Sequence, residues 1–435
     1  MSKIIVVGLG HGGLIAAARL AKQCHDVRIY EKRLAGEVGH EWEDRFDFEL
    51  VANAIEKRVD DFPKDSWRLR GDSTFVSPDK TKRIDVHFAE DKRQKIMWRK
   101  PLIAMLVDYA LSQGVRIQYQ VEVTAPIIEQ DKVVGVVADG DRHYADIVID
   151  ASGVFSAIRR QLPPLWGIEQ APKRGDVFYA YRAYYNRVAG FETPKEPFEV
   201  YLLHEGEQGL SWFCTNEDSV DILIGRIDTI DVAKVKEQLR LFKLSHPWQG
   251  DSILCGGHFA VIPVRRPMAV MVADGYAAVG DSAFMTTPMN GMGIDLSIRA
   301  GLLLAECVGA KGVGIDALWA YNRAYLTSIG AKVARNEGLK NALLNLPSVG
   351  VDALYKSGVI EASDLAGGGE NMTFGRLMRK LINGLKCPKY FTAIVKGLMK
   401  GGKVASVLGN PPKNYDIAVL AKWREKVEKN IVRVK

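Results

Sequence analysis

Near its start the chain reads KIIVVGLGHGGLIAAARLAKQCHDVRIYEKR. A solid apolar run over 4–7 gives way to glycines, then to an alanine-rich helical pattern over about 13–22, then to a second apolar run over 27–30 that ends on Glu31. These periods predict strand, turn, helix and strand. In KIMWRKPLIAMLVDYALSQG, Leu102, Met105, Leu106 and Tyr109 fall on one helical face and Arg99 heads the helix. VRIQYQVEV and KVVGVVADG predict further strands, followed by DIVIDASGVFSAIRRQL. The pattern then changes. Over 176–261, DVFYAYRAYYNRV, PFEVYLLHEG, GLSWFCTNED and SVDILIGRI are strand-length pieces with turn residues between them, which predicts an antiparallel sheet. Tyr179, Tyr181 and Tyr185 share one face of a single strand, and Trp212 and Phe213 lie on another. A strand over 276–279, the turn Gly280-Asp281, a loop and a helix from near Gly293 follow. From Ile315 onward Leu318, Tyr321, Tyr325 and Ile329 keep helical spacing; glycine breaks at 367–369 and at Gly401-Gly402 then separate short helices before Pro411-Pro412.

The expected fold class is therefore α/β. A first Rossmann-like part spans 1–175, an inserted antiparallel-sheet domain 176–261, a return to the first domain 262–330 and a helical basic region 331–435.

Composition changes this picture little. With 435 residues, 47% hydrophobic and 26% charged, the chain can build two or three domains with a generous core. Its five cysteines, Cys24, Cys214, Cys255, Cys307 and Cys387, are odd in number and lack C-x-x-C spacing, so neither a disulfide framework nor a metal site is expected. The first residues enter an apolar run with no basic leader, and no apolar stretch approaches the roughly 18 residues of a membrane span, so a cytoplasmic protein is expected. Charge changes it more. The chain carries +7, but residues 386–435 alone hold 12 Lys plus Arg against 3 acidic residues. KYFTAIVKGLMKGGKVASVLG mixes those lysines with apolar side chains, which fits either peripheral contact with an anionic membrane or a solvated helical face. No nucleic-acid motif or basic stripe lies elsewhere, so no nucleic acid partner is expected.

The chemistry starts at Gly8, Gly10 and Gly13, which satisfy G-x-G-x-x-G. The first glycine permits the turn, the second lets a pyrophosphate approach the backbone and the third lets helix and strand pack closely. Phosphates then meet unpaired N–H groups at the positive end of the helix. Glu31, 18 residues past Gly13, is placed to accept hydrogen bonds from an adenosine ribose. A dinucleotide is expected here, and that unit alone leaves NAD and FAD open. The late element GDSAFMTTPMNGMGID decides for a flavin, whose ribityl chain and ring extend beyond the adenosine and must be held by distant residues.

Three motifs together, G-x-G-x-x-G with Glu31, D-A-S-G-x-x-S-x-x-R-R at 150–160 and G-D-x-A-x(4)-P-x-x-G-x-G at 280–293, resemble the FAD-dependent p-hydroxybenzoate hydroxylase-type superfamily. Within it the chain is most similar to the geranylgeranyl reductase family, over roughly residues 1–330. The resemblance implies a PHBH-type FAD domain whose inserted sheet roofs the flavin. It implies that Asp281 bonds the ribitol hydroxyls, that Gly291, Met292 and Gly293 offer backbone N–H groups to the pyrimidine edge, and that Arg99 lies against the cofactor. Gly12, Lys32, Arg33 and Val123 complete the expected cofactor set, and Tyr181, Trp212 and Phe213 the expected substrate contacts. A helix start next to N1 and O2 would also favour the negative charge of reduced flavin by up to about 2 kcal/mol.

Departures narrow the activity. Of the family's Y-x-W-x-F-P motif only Trp212 remains in LSWFCT, and the loop AGEVGHEWEDRFDFELV lacks the family's cysteine, crowding His40, Glu41, Glu43 and Asp44 instead. No catalytic acid is assigned. Ser152-Gly153 and Phe284 depart from the aromatic hydroxylases, and W-x-W-x-I-P of the halogenases is missing. The expected activity is transfer of hydride from reduced FAD to a C=C bond of a hydrophobic, prenyl-lipid or quinone-like substrate. An aromatic or polyketide monooxygenase is the alternative, and a non-catalytic prenyl-binding escort the second. NAD(P)H or reduced ferredoxin is the expected electron donor.

Overall fold

A computed structural model describes residues 1–90, 93–366 and 373–435. The first apolar run is the strand Lys3–Val7, central in a six-stranded sheet. It pairs in parallel with Asp26–Glu31 on one side and Ile147–Asp150 on the other. Outside these lie Arg116–Tyr119, parallel to Asp26–Glu31, and Tyr276–Ala278, parallel to Ile147–Asp150. Strands buried on both faces need no polar alternation, which is why KIIVV and IVID read as continuous runs. The helix His11–Lys22 crosses between the first two strands and packs on the late helix Ile294–Lys311, backbone close to backbone: a Cβ on Gly301 would come within 2.3 Å of Gly12 O.

A seven-stranded sheet forms the second layer. Val177–Arg187 lies between Gln249–Pro263 and Ser219–Arg226, followed outward by Gly209–Thr215 and Phe198–Leu202, all antiparallel. Two further strands, Ser73–Val76 and Arg83–Val86, come from within 1–175 and extend this sheet, the first running parallel to Phe198–Leu202. The sheet is thus assembled from two parts of the chain. The segment 176–261 also contains the helix Val232–Ser245, capped by the Asp231 carboxylate accepting from Lys234 N. Its apolar side covers the back of the sheet through Val235 and Phe242.

The C-terminal region is helical. Ile315–Tyr325 and Ala331–Leu344 are joined by a π turn, Leu326–Gly330, so the long periodic stretch is one interrupted rod. The glycine break at 367–369 lies outside the described residues. Gly401-Gly402 is not a break: a single helix, Pro388–Leu408, runs through it. Glycine lowers helix propensity by about 1 kcal/mol, but here it serves contact. A Cβ on Gly338 would lie 2.2 Å from Gly397 O and 2.9 Å from Gly401 Cα, so the two helices meet main chain to main chain only because those positions are bare.

Candidate active site

The two glycine turns, some 270 residues apart in the chain, lie side by side. Gly12 N donates to Ser297 Oγ at 2.9 Å, and a Cβ on Gly280 would come within 2.8 Å of the same hydroxyl. Gly8 has φ +88 and its would-be Cβ lies 2.7 Å from Ala151 O; the turn therefore excludes side chains for both conformational and steric reasons.

D-A-S-G-x-x-S-x-x-R stitches the turns together. Buried Asp150 accepts from Ser152 Oγ at 2.6 Å, Tyr276 OH at 2.8 Å, Ser282 Oγ at 3.0 Å and Ser156 Oγ. Arg159 donates to Ser282 O and Val154 O, with its guanidinium over Phe284. Ser282 in turn accepts from Gly153 N at 3.0 Å. Asp150, Ser156, Arg159 and Ser282 are buried, and their bonds tie the loop after Asp150 to the turn that carries Asp281.

Glu31 is buried at the end of its strand and accepts from Leu9 N at 3.1 Å and Arg33 N at 3.0 Å. Lys32 and Arg33 are exposed beyond it, and Val123 is buried at the start of Val123–Glu129. Gly10 leads into the first helix, whose N-terminus has no side-chain cap. At the late turn, Gly291 N donates to Thr287 O at 2.9 Å and Met292 N to Thr287 Oγ1 at 3.0 Å. Those two amides are thus spent inside the chain, contrary to the expectation that all three would face a ligand. Gly293 N and the first turn of Ile294–Lys311 remain as donors.

Arg99 begins its helix and forms a paired contact with Asp44, at 2.6 and 2.8 Å. Asp281 is exposed towards the same side, but the protein crowded around it partly desolvates its carboxyl and pushes it up to about 6, against the pull of Arg99. Its carboxylate takes no hydrogen bond from another group among the described residues. His11, at the first position of the glycine-rich helix, has a buried Nε2 with no partner; burial and then Arg99 lower its pKa to about 4. His40 stacks on Trp42 at 4.3 Å and is likewise lowered to about 4, first by burial and then by Arg99. Both imidazoles are neutral at pH 7. Orphaned polar groups (His11 Nε2, Gly293 N, the Asp281 carboxylate) line one groove between the two turns, which fits an elongated polar cofactor.

The raised Asp281 pKa has a signed consequence. In cofactor-free protein the folded state holds this proton more tightly than the unfolded chain, so that contribution is full at low pH and lost as pH rises through about 6. Asp281→Asn should therefore melt above wild type at pH 8. The difference should shrink as pH falls through 6 and be gone near 4; apo-protein melting curves across that range check it.

Above the groove stands the front of the seven-stranded sheet. Arg182 is buried and bonds Asp221 at 2.8 and 2.7 Å, Glu43 O at 2.9 Å and Tyr184 OH at 2.8 Å, so it clamps the 40–45 loop to the sheet. Arg68 bonds both oxygens of Glu43 at 2.7 Å. These partners, with Asp44, were not foreseen from the sequence beyond the crowding of His40, Glu41, Glu43 and Asp44. Of the expected substrate contacts only Trp212 faces this side, with the Arg182 guanidinium 5.1 Å from its ring centroid. Tyr181 and Phe213 point to the back of the sheet: Phe213 packs on Phe242 and His246, and Tyr181 bonds Tyr185. Neighbours along a strand alternate faces, so Trp212 and Phe213 cannot both line one cavity.

No family model matches the chain. A digeranylgeranylglycerophospholipid reductase of Methanothrix thermoacetophila is 28% identical over 388 residues, covering 83% of this chain and 92% of the relative. One from Sulfolobus acidocaldarius is 23% identical, over 73% and 74%. The chain is similar to the geranylgeranyl reductases. Among solved structures, a geranylgeranyl bacteriochlorophyll reductase-like protein from Thermoplasma acidophilum superposes with TM-score 0.71 at 19% identity, covering 91% of this chain and 99% of that one. A probable FAD-dependent monooxygenase from Pseudomonas aeruginosa gives 0.55 at 16%, over 88% and 99%. The fold is thus that of geranylgeranyl reductase-like and FAD-dependent monooxygenase proteins, with a Rossmann-like domain as the motifs implied.

Proposed function

We propose that this chain is an FAD-dependent reductase that saturates a C=C bond in a prenyl-lipid or quinone-like substrate. The observation that carries the reading is the meeting of the two glycine turns, one suited to the adenosine half of FAD and the other to its ribityl and ring half. Bound FAD, once reduced, supplies a hydride to one alkene carbon, while a proton reaches the other. The chain's residues do the rest. Gly8, Gly10 and Gly13 let the pyrophosphate approach the first helix, Glu31 takes the ribose, and Asp281 takes the ribitol hydroxyls with Arg99 beside it. Gly293 and the start of Ile294–Lys311 place positive partial charge at the pyrimidine edge. The named activity of the relatives at 23–28% identity supports a prenyl substrate.

Only one parallel sheet with a glycine-rich turn is present among the described residues, so the electrons come from transiently visiting NAD(P)H or from a protein such as reduced ferredoxin. Anaerobic reduction of the holoprotein with each donor, followed by reoxidation on adding a prenyl lipid and mass analysis of the product, tests the proposal. A product two hydrogens heavier is expected. Oxygen consumption coupled to hydroxylation would instead establish the monooxygenase reading, which the polar sheet front around Arg182 and Tyr184 favours.

We also place the membrane contact on the helix Phe374–Gly384. Leu377, Met378, Leu381, Ile382 and, just past its end, Leu385 are exposed, the last two at 58% and 77%. Between positions 374 and 400 there are seven Lys or Arg and no Asp or Glu; Arg376, Arg379 and Lys380 pair with Asp364 and Glu361, which leaves the charge of Lys386, Lys389, Lys396 and Lys400. That charge opposes self-pairing and suits an anionic bilayer, at about 1 kcal/mol per cation near the surface. No described helix is long and apolar enough to cross a membrane. Full-length protein should sediment with vesicles containing anionic lipid and not with neutral ones; Ile382→Asp with Leu385→Asp should release most of it.

A further inference from the structure

The front of the seven-stranded sheet carries more positive charge than its own carboxylates neutralise. Arg182 is matched by Asp221 and Arg68 by Glu43. Among the described residues no carboxylate pairs with Arg45 or Arg70. Arg45 donates only to the neutral Oε1 of Gln94, at 2.5 Å. The Arg70 guanidinium has no carboxylate partner and lies over Phe198, 3.6 Å from the ring centroid. Burial pushes Arg70 down to about 10, and Arg45, Arg182 and Asp221 are near enough to bias its charge, so these groups share one neighbourhood. Stacking on the ring recovers part of the desolvation.

A third donor stands on the same face. Trp212 lies 5.7 Å from Phe198, ring to ring, and its indole Nε1 is buried with no acceptor. A buried orphan of this kind is destabilising unless a ligand supplies the acceptor. Arg45 connects this place to the flavin turn, since Asp295, in the first turn of Ile294–Lys311, is the charge that acts on it. In the other direction the same face becomes apolar. Phe178, Leu202, Leu210, Phe75 and Ile84 pack beneath the C-terminal helices.

We propose that Arg70, Arg45 and Trp212 form an anion-recognition subsite that takes the phosphate or carboxylate group of an amphiphilic substrate, whose hydrocarbon part follows the apolar end of the sheet. Among the described residues Arg70 and the Trp212 indole lack acceptors and Arg45 meets only a neutral amide oxygen, so the three select an anion, and the adjoining apolar surface selects an amphiphile over a free ion. The substrate's reduction rests on the reductase reading; the subsite itself does not.

Isothermal titration of the oxidised FAD-loaded protein tests it with four probes: geranylgeranyl phosphate, a prenyl carboxylate of the same length, geranylgeraniol and inorganic phosphate. The phosphate ester or the carboxylate should bind about tenfold or more tightly than the alcohol, the scale of one charged hydrogen bond; which of the two binds tighter identifies the head group. In Arg70→Met that ratio should fall towards one, with flavin content and melting temperature retained. Trp212→Phe, which removes one N–H and keeps an aromatic ring, should lower it less. Equal affinity of acid and alcohol, an unchanged ratio in Arg70→Met, or inorganic phosphate binding as well as the ester would overturn the inference. Charge-selective binding lost with Arg70, but without reduction of the bound lipid, would leave the subsite standing and sink the reductase reading alone.

Discussion

Asp281→Ala should give a folded protein that holds FAD about ten- to a hundredfold more weakly, the effect of losing a charge-assisted hydrogen bond of about 1.5–3 kcal/mol. The fold survives because the carboxylate accepts no hydrogen bond within the described chain. What positions the loop is the network beneath it, where Asp150 and Arg159 hold Ser282 from two sides. Removing a carboxyl whose charged form the folded state disfavours also relieves the cofactor-free state. The variant should therefore be pale as purified yet no less stable without cofactor, and full yellow colour would refute the placement of the ribityl chain. Flavin released per polypeptide, read from the visible spectrum after denaturation, is the measurement.

Arg182→Met should destabilise the protein by about 3–5 kcal/mol, because it leaves the Asp221 carboxylate buried and unpaired. It also frees Glu43 O and Tyr184 OH, and so unclamps the loop that carries Asp44 to Arg99. Lower urea midpoint and weaker flavin retention should appear together. Adding Asp221→Leu removes the stranded charge and should recover much of the stability, since a buried ion pair is often replaceable by apolar side chains. Flavin retention should recover less, because the clamp on the loop stays absent.

The glycine turns were legible in the sequence because bare positions leave a residue-type signal whatever packs on them: a left-handed backbone at Gly8, main chain close to Gly10 and Gly12, and the Ala151 methyl close to Gly13. The same holds for the helix headed by Arg99, whose bounds follow from apolar spacing. Partners chosen by tertiary packing were not legible. Asp44 and Arg99 are 55 residues apart, Arg182 and Asp221 39 apart, and no local pattern pairs them. Alternation along GLSWFCT says that Trp212 and Phe213 diverge, but which one meets the flavin side depends on where Val232–Ser245 docks. At Gly401-Gly402 the sequence signal was ambiguous in kind: glycine marks a break when nothing faces it and a contact when another helix does. The amides of Gly291 and Met292 were committed to Thr287, a bond formed within a five-residue loop that the motif alone does not disclose.

The most direct measurement is titration of the cofactor-free protein with FAD, followed by absorbance and by calorimetry, against ADP-ribose and FMN as half-length controls. One FAD per chain should bind, far more tightly than either half, because the early turn grips one end and the late turn the other. FAD binding no tighter than ADP-ribose would contradict the account, since the late turn would then contribute nothing to holding the cofactor.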